Sequence, residues 1–310
     1  MKISTSALFD RATKQMSGVQ TSLSKSQTQL ASGKKIVSPS DAPNQAASIQ
    51  RLQSIMNRQD SYANTLSTVQ TRLQGEETAL QGVSDLLLRV KEIALQAAND
   101  TLAPTDRQAL AIEMGGLRDQ MLSLSNTQDS MGNYLFAGSR VNQPAFAENA
   151  NGEVTYQGDQ TRMRVSVGDQ RTVQLNRSGS EAFVRVVRTD AKGVASGTGF
   201  FQALDQLTAA VRSSNRMDMQ RGIGEMDALQ NGTILALAQV GTDMNVAEAQ
   251  KAVLEETNLS LKSTLSSIQD LDYADAIGQM NKQMLALEAA QSSFGKISKL
   301  NLFNLSLIHI

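Results

Sequence analysis

The sequence predicts a mainly α protein in which helical rods from the N- and C-terminal segments pair as an elongated antiparallel coiled coil and carry a small antiparallel β insertion domain. Two observations support this prediction. Apolar residues recur at helical spacing over both ends of the chain, and aromatic residues make up only 4% of it, with no tryptophan. Because large aromatic side chains usually dominate thick globular cores, their scarcity favours thin packing over the alternative, an ordinary helical bundle.

The first helix and the segment that ends it are predicted by local pattern. Apolar residues at a 4-3-4-7 spacing predict the helix, and they are Ala12, Met16, Val19, Leu23 and Leu30. Gly33 is well placed to end it, since glycine readily adopts the left-handed conformation that follows a helix. Ser40 or Asp41 can cap the next helix, and Pro43 is tolerated in its first turn. We call Gly33–Pro43, which also contains Pro39, the connector.

The second helix has the strongest pattern in the chain. Every seventh residue from Leu52 to Ala94 is apolar except Gln59, and a second such row runs beside it from Ile55 to Ala97. A single straight helix over residues 42–99 would be roughly 85 Å long at about 1.5 Å per residue. This segment is therefore predicted to be a rod.

A third helix is followed by a change of pattern. Apolar residues alternate at 4-3 spacing with one polar step and predict a helix that reaches Leu135; they are Leu110, Met114, Leu117, Met121, Leu124, Met131 and Leu135. Residues 137–199 contain short alternating runs, VTYQG, RMRVSV, TVQL and FVRVV, which are separated by turn residues. These runs predict a small antiparallel β unit inserted between helical segments.

Helical spacing resumes at Phe200 and continues to the last predicted helix. A long fourth helix runs through Ile223 and Ile268, with several polar residues in its apolar seam. We interpret Gly222–Gly224 as a helix break, because it neither follows a strand nor completes a dinucleotide-binding motif. A final helix presents one apolar face, formed by Ile277, Met284, Leu287 and Phe294.

The acidic clusters do not predict a site of chemistry. Glu76 and Glu77 lie on the second helix, and we expect both to be solvated because adjacent helical residues do not face each other. Asp270, Asp272 and Asp275 resemble a calcium loop only loosely, since the glycine at the sixth place and the glutamate at the twelfth are missing. We expect helix capping there instead.

The residue types present argue against catalysis. The single histidine, His309, lies next to the C-terminus, whereas a catalytic triad or an HExxH zinc site needs a histidine held in structure. The chain has no cysteine, which excludes disulfides and thiolate metal sites. We therefore predict that the chain is not an enzyme and that it has no catalytic residue, no cofactor, no metal and no small-molecule substrate.

Charge and hydropathy exclude two further classes of partner. The formal net charge is −1 and no basic run exceeds two residues, so we expect neither nucleic acid nor an anionic membrane as a partner. No apolar run reaches the roughly 18 residues of a membrane span. The N-terminal segment MKISTSALFDRATKQMSGVQ lacks the apolar stretch of a general secretory signal peptide.

Separated motifs at both ends resemble the flagellin superfamily. The family's helix end and turn match at Leu30, Ser32, Gly33, Ile36, Ser38, Asp41 and Pro43. Its closing helix matches at Asp272, Ala274, Ile277, Leu287, Ala289, Ala290, Gln291, Leu300, Leu302 and Phe303. Within the superfamily, the start MKISTSALFDRA and the segment MGNYLFAGSR resemble the hook–filament junction members more than filament flagellin. The resemblance covers nearly the whole chain.

This resemblance implies a structural adaptor subunit at the hook–filament junction of the bacterial flagellum. It also implies export by the flagellar type III pathway without a cleaved signal peptide, and hence an extracellular location in the flagellum. The implied partners are the other junction protein, flagellin, further copies of the chain in a ring, and an export chaperone that binds the C-terminal helix. A short filament flagellin is the alternative, and a secreted type III effector or binding module is a less favoured one.

The resemblance also divides the chain into three regions. Residues 1–40 with 271–310 correspond to a terminal inner-tube coiled-coil domain, residues 41–136 with 200–270 to a helical rod domain, and residues 137–199 to the small β domain. The connector residues, Gly33, Pro39, Asp41 and Pro43, would join the first region to the second.

The terminal segments are expected to depend on neighbouring subunits. Segments of about 30 residues with narrow apolar stripes cannot bury enough area alone to offset the entropy of ordering. We therefore expect them to be disordered in the free monomer and to fold when neighbours cover the predicted interface. Its residues are Leu8, Val19, Leu23, Leu30, Ile277, Met284, Leu287 and Phe294.

One segment departs from the family pattern. Asn304 is followed by LSLIHI, whereas family sequences usually end soon after this point. The hexapeptide resembles the translation of a transposon-end adapter used in sequencing libraries. We expect Leu305–Ile310, with the lone histidine, not to be native.

Overall fold

A computed structural model describes residues 5–189 and 195–299 of the chain. The side chain of Leu8 and the residues from Leu300 to Ile310, on which some of the predictions above fall, lie outside the described part.

Over the described residues the chain forms seven α-helices and three β-hairpins. The helices are α1 (Thr5–Ser32), α2 (Pro43–Ala97), α3 (Pro104–Ser125), α4 (Gly179–Ala182), α5 (Phe200–Ser213), α6 (Arg216–Gln269) and α7 (Tyr273–Lys299). The strands are β1 (Phe146–Glu148), β2 (Val154–Tyr156), β3 (Arg164–Ser166), β4 (Thr172–Gln174), β5 (Val186–Thr189) and β6 (Ala195–Thr198). The prediction of a mainly α protein with an antiparallel β insertion is confirmed. No helix in the described ranges is long and apolar enough to cross a membrane.

The strands pair only within hairpins. β1 pairs with β2, β3 with β4 and β5 with β6, each antiparallel, with Ala147 opposite Thr155 and Val165 opposite Val173. The alternating runs predicted β2 to β5, whereas β1 and β6 lie outside them, because FAE and ASGT are too short and too weakly alternating to be recognised.

The chain divides into two compact units. Unit 1 contains Met1–Arg58 and Glu256–Ile310, and unit 2 contains Gln59–Glu255. Both α2 and α6 contribute to each unit, since the boundaries fall within these two helices.

The core of unit 2 joins the β insertion to the helices. An aromatic cluster lies where the insertion meets the helices. The ring centroid of Phe183 is 5.0 Å from that of Phe146 and 5.3 Å from those of both Phe136 and Phe200. Apolar residues of α2, α3, α5 and α6 continue this cluster as one core. The scarce aromatic residues of the chain thus hold the insertion on the helices.

Two predicted helix boundaries were wrong. α3 ends at Ser125 and does not reach Leu135, because the Asn126 side chain instead bonds the backbone N–H and C=O of Phe146 at 2.9 and 2.8 Å. α6 is continuous through Gly222 and Gly224.

The glycines of α6 reflect close packing and not a break. A Cβ on Gly222 would lie 2.6 Å from Leu207 Cδ1 of α5, and a Cβ on Gly232 would lie 2.2 Å from Val184 Cγ2. A Cβ on Gly224, in contrast, would have no atom within 4 Å. Gly222 and Gly232 therefore leave room for Leu207 and Val184 to pack directly on the backbone of α6.

The expectation that Glu76 is solvated was also wrong. Glu76 is 0% exposed, whereas the adjacent Glu77 is exposed, as expected. Glu76 belongs to the row of every seventh residue that runs from Ile55 to Ala97. Its neighbours in that row within unit 2, Val69 and Val83, are buried in the core, so the position of Glu76 on α2 determines its burial.

Replacing Gly232 by alanine is expected to destabilise unit 2. The added methyl group meets a β-branched side chain, and overpacking of this kind costs about 1–3 kcal/mol. Gly224→Ala, in the same helix, should instead raise the free energy of unfolding by up to about 1 kcal/mol through helix propensity. Urea unfolding of both variants measures the difference, and equal effects would contradict the packing described.

Candidate assembly interface

In unit 1, α1 and α7 pack against each other as an antiparallel pair. Near one end the rings of Phe9 and Phe294 meet edge to face, with centroids 5.5 Å apart. Towards the other end Ser26 Oγ donates a hydrogen bond to Gln283 Oε1 at 2.9 Å. A polar contact thus occupies part of the seam between the two helices.

This helix pair has little apolar core of its own. In the described part of unit 1 the buried apolar residues are Ile36, Ile49 and Ala276. Of these, only Ala276 lies on α1 or α7, and its side chain is a single methyl group. The pairing of α1 with α7 therefore rests mainly on half-buried side chains.

The predicted interface residues fall into two groups. Five are half-buried in the single chain, and they are Val19, Leu23, Leu30, Leu287 and Phe294. Ile277 and Met284 remain 45% and 41% exposed. The structure thus brings Phe294 against α1 and leaves Ile277 and Met284 on an open face of α7.

Sequence reasoning missed two further residues of this open surface. Tyr273 lies four residues before Ile277 and shares its face, and Leu285 follows Met284; both are exposed. The i, i+4 spacing could have identified Tyr273. Leu285 lies outside the apolar stripe of α7, so helical periodicity gave no indication of it.

Two backbone hydrogen bonds join the connector to the link between α6 and α7. Gly33 ends α1 with φ +69°, as predicted. Its carbonyl accepts from the Leu271 N–H at 3.0 Å, and the Lys35 N–H donates to the Gln269 carbonyl at 2.7 Å. These two bonds form a short antiparallel bridge, which fixes the point where the chain leaves α1 relative to the start of α7.

Asp41 orders the connector itself and does not cap α2, which begins at Pro43. Its carboxylate pairs with Lys25 at 2.8 Å and accepts from the Ser38 and Val37 amides at 2.9 and 3.1 Å. The hydrogen bond from Lys25 and the two amides hold the pKa of Asp41 well below its ordinary value. The carboxylate is therefore charged throughout the neutral range.

Asp272 caps α7, as the sequence predicted for this acidic cluster. Its Oδ1 accepts from the Ala274 and Asp275 amides at 2.9 and 3.2 Å. The following residue, Tyr273, packs over Gly33, where a Cβ would lie 2.8 Å from the tyrosine hydroxyl. The cap and the connector thus meet at one place in unit 1.

Unit 2 carries an exposed apolar stripe that sequence reasoning also missed. Met217, Leu235, Val246 and Val253 of α6 are exposed. Their spacings of 18, 11 and 7 residues are close to whole numbers of helical turns, so they share one face. The predicted interface was confined to the chain termini, although this spacing is visible in the sequence.

Replacing Gly33 by alanine is expected to loosen the connector. Left-handed backbone costs a residue with a Cβ about 1–2 kcal/mol, and the methyl group would also meet the Tyr273 hydroxyl. Amide exchange at Lys35 and Leu271 should therefore accelerate by about 5–30-fold.

Gly18→Ala is the matched control, because Gly18 lies within α1 and has no atom within 4 Å of an added Cβ. It should not accelerate exchange at either amide, because alanine favours the helix and meets no neighbour there. Unchanged rates in Gly33→Ala would contradict the assigned role of the connector.

Comparisons with known proteins find similar chains. Residues 3–141 match the family described as bacterial flagellin N-terminal helical region. The chain is 28% identical to flagellar hook-associated protein 3 of Escherichia coli strain K12, over 99% of this chain and 100% of the relative. It is 21% identical to a flagellin of Listeria monocytogenes, over 97% of this chain and 96% of that protein.

Solved structures share the fold. The crystal structure of FlgL from Xanthomonas campestris superposes with a TM-score of 0.62 at 24% identity and covers 71% of this chain and 100% of that one. These relatives are structural proteins of the flagellum and not enzymes. The chain thus resembles the flagellin N-terminal helical region over residues 3–141 and hook-associated protein 3 along its whole length.

Proposed function

We propose that this chain is a structural adaptor subunit of the bacterial flagellum at the hook–filament junction. The observation that carries the proposal is the end-to-end similarity to hook-associated protein 3. The exposed apolar face of α7 supports it, because a subunit of an assembly must keep such a face for its neighbours.

In this proposal, neighbouring subunits cover the terminal helices during assembly. Copies of the chain form a ring on which the filament grows, and neighbouring subunits contact Ile277, Met284 and Tyr273 of α7, which are exposed in the single chain. The half-buried residues of α1 and α7 become fully buried as the neighbours pack. The exposed stripe of α6 offers a second apolar surface for contacts in the same assembly.

Export precedes assembly in this proposal. The chain leaves the cell through the flagellar type III pathway without a cleaved signal peptide, and a cytoplasmic chaperone covers the C-terminal helix before export. At its destination the chain contacts the other junction protein on one side and flagellin on the other. The shortage of buried apolar side chains in α1 and α7 supports this order of events, since such segments unfold at little cost.

Deletion of the gene tests the proposed role. The deletion strain should build hooks without filaments and release flagellin monomers into the medium, and the wild-type gene should restore filaments. Normal filaments in the deletion strain would contradict the proposal.

The two alternatives predict different results. If the chain is a short filament flagellin, its purified subunits should grow long filaments by themselves. If it is a secreted type III effector or binding module, its termini should be folded in the monomer and it should be secreted by a strain that lacks flagella. Neither result is expected of a junction subunit.

The connector gives a prediction that separates assembly from folding. Replacing Pro39 and Pro43 by glycine increases the conformational entropy of the unfolded connector. This should lower the free energy of unfolding by about 0.4–1 kcal/mol per site. Because the connector joins the region that orders on assembly to the folded helices, incorporation into flagella should fall more than the stability of the monomer. Incorporation and thermal unfolding are the two measurements, and equal losses in both would count against a joint.

A further inference from the structure

A buried carboxyl group lies between two arginines in the core of unit 2. Glu76 of α2 is 0% exposed, and its Oε1 and Oε2 lie 3.9 Å from Arg72 Nε and 4.0 Å from Arg177 Nε. Both carboxyl oxygens and both Nε atoms have no hydrogen-bond partner. The flagellar role proposed above makes no use of this group.

Each arginine is already held by an aspartate. Arg72 donates to Asp129 Oδ2 at 3.1 Å and to the Leu135 carbonyl at 3.0 Å, which ties α2 to the loop after α3. Arg177, between β4 and α4, donates to Asp243 Oδ2 of α6 at 2.8 Å and also to the side chain of Gln239. The two pairs cancel in charge, so an ionised Glu76 adds one negative charge that nothing balances.

Asp129 in turn organises the loop that contains the MGNYLFAGSR segment. Its Oδ1 accepts from the backbone amides of Met131 and Asn133, each at 2.9 Å. Arg72 is therefore the link between Glu76 and the order of this loop. Arg177 likewise links Glu76 to Asp243 of α6.

The physical balance favours the neutral form of Glu76. Placing an ionised carboxylate in a protein interior costs several kcal/mol, and the attraction of each arginine is weakened by its own aspartate. Burial raises the pKa of Glu76 to about 8, although Arg72 and Arg177 oppose the shift.

We propose that Glu76 is a pH-sensitive lock that seats the β insertion on α2 and α6. While Glu76 is neutral, Arg72 stays with Asp129 and Arg177 stays with Asp243. When Glu76 ionises, its carboxylate draws both guanidinium groups towards itself and weakens those two pairs. The loop at Asp129 and the segment at Arg177 then loosen together.

The direction of the pH dependence follows from proton binding. The folded state keeps the Glu76 proton up to a pKa of about 8, whereas the unfolded chain releases it near the ordinary value of 4.5. This group's contribution to stability is therefore fully present below that ordinary value. It is lost as the pH rises through the window between the two values and is constant above it.

Unfolding by urea between pH 5 and about pH 9 tests the lock on the full chain. Relative to Glu76→Gln, the wild-type unfolding constant should rise by up to about tenfold per pH unit within the window. Glu76→Met provides a second neutral side chain, in case the glutamine amide meets the arginine donors badly. Glu77→Gln, an exposed neighbour, is the matched control and should keep the wild-type pH dependence.

Amide exchange supplies a local readout on the wild-type chain, which does not depend on any variant folding. Above the pKa of Glu76, the Met131 and Asn133 amides should lose protection relative to amides in the middle of α2, after correction for the intrinsic effect of pH. Equal pH dependence in the wild type and both Glu76 variants, or unchanged relative protection of the loop, would overturn the proposal.

Discussion

The small apolar area that the terminal helices bury is the constraint on which the rest of the structure depends. α1 and α7 contain 28 and 27 residues, and fixing the backbone of each residue costs about 1–2 kcal/mol. Ala276, 8% exposed, is the one buried apolar residue among those whose side chains the structure describes on either helix. Unit 2, in contrast, has a continuous core with an aromatic cluster. In the proposed assembly, neighbouring subunits supply the apolar contacts that this pair lacks in the single chain.

The connector gives the helix pair of unit 1 a defined geometry at the end where α1 stops and α7 begins. The bridge between Gly33 and Leu271, with that between Lys35 and Gln269, fixes the register in which α1 and α7 begin to pair. Contacts farther along, such as Phe9 with Phe294, then follow from the same register. These backbone bonds between segments distant in sequence thus help to specify how the two helices pair.

Local patterns in the sequence predicted the features that local interactions decide. The stop of α1 at Gly33 and the start of α5 at Phe200 were predicted, because left-handed backbone and apolar spacing are properties of a few neighbouring residues. Tertiary contacts decided the rest. Leu135 continued the helical spacing but lies in a loop held by other segments, and Glu76 was buried by partners distant in sequence. In the interface, the i, i+4 spacing to Ile277 could have identified Tyr273, whereas Leu285 lies outside the apolar stripe of α7 and only the structure shows its exposure.

Amide exchange of α1 and α7 in the dilute monomer and in assembled flagella tests the central claim most directly. The account predicts weak protection of residues 4–30 and of α7 in the monomer, strong protection after assembly, and little change for the part of α2 in unit 2, which serves as the internal reference. Strong protection of residues 4–30 in the dilute monomer would show that the terminal helices are stable without neighbours, and would contradict the account.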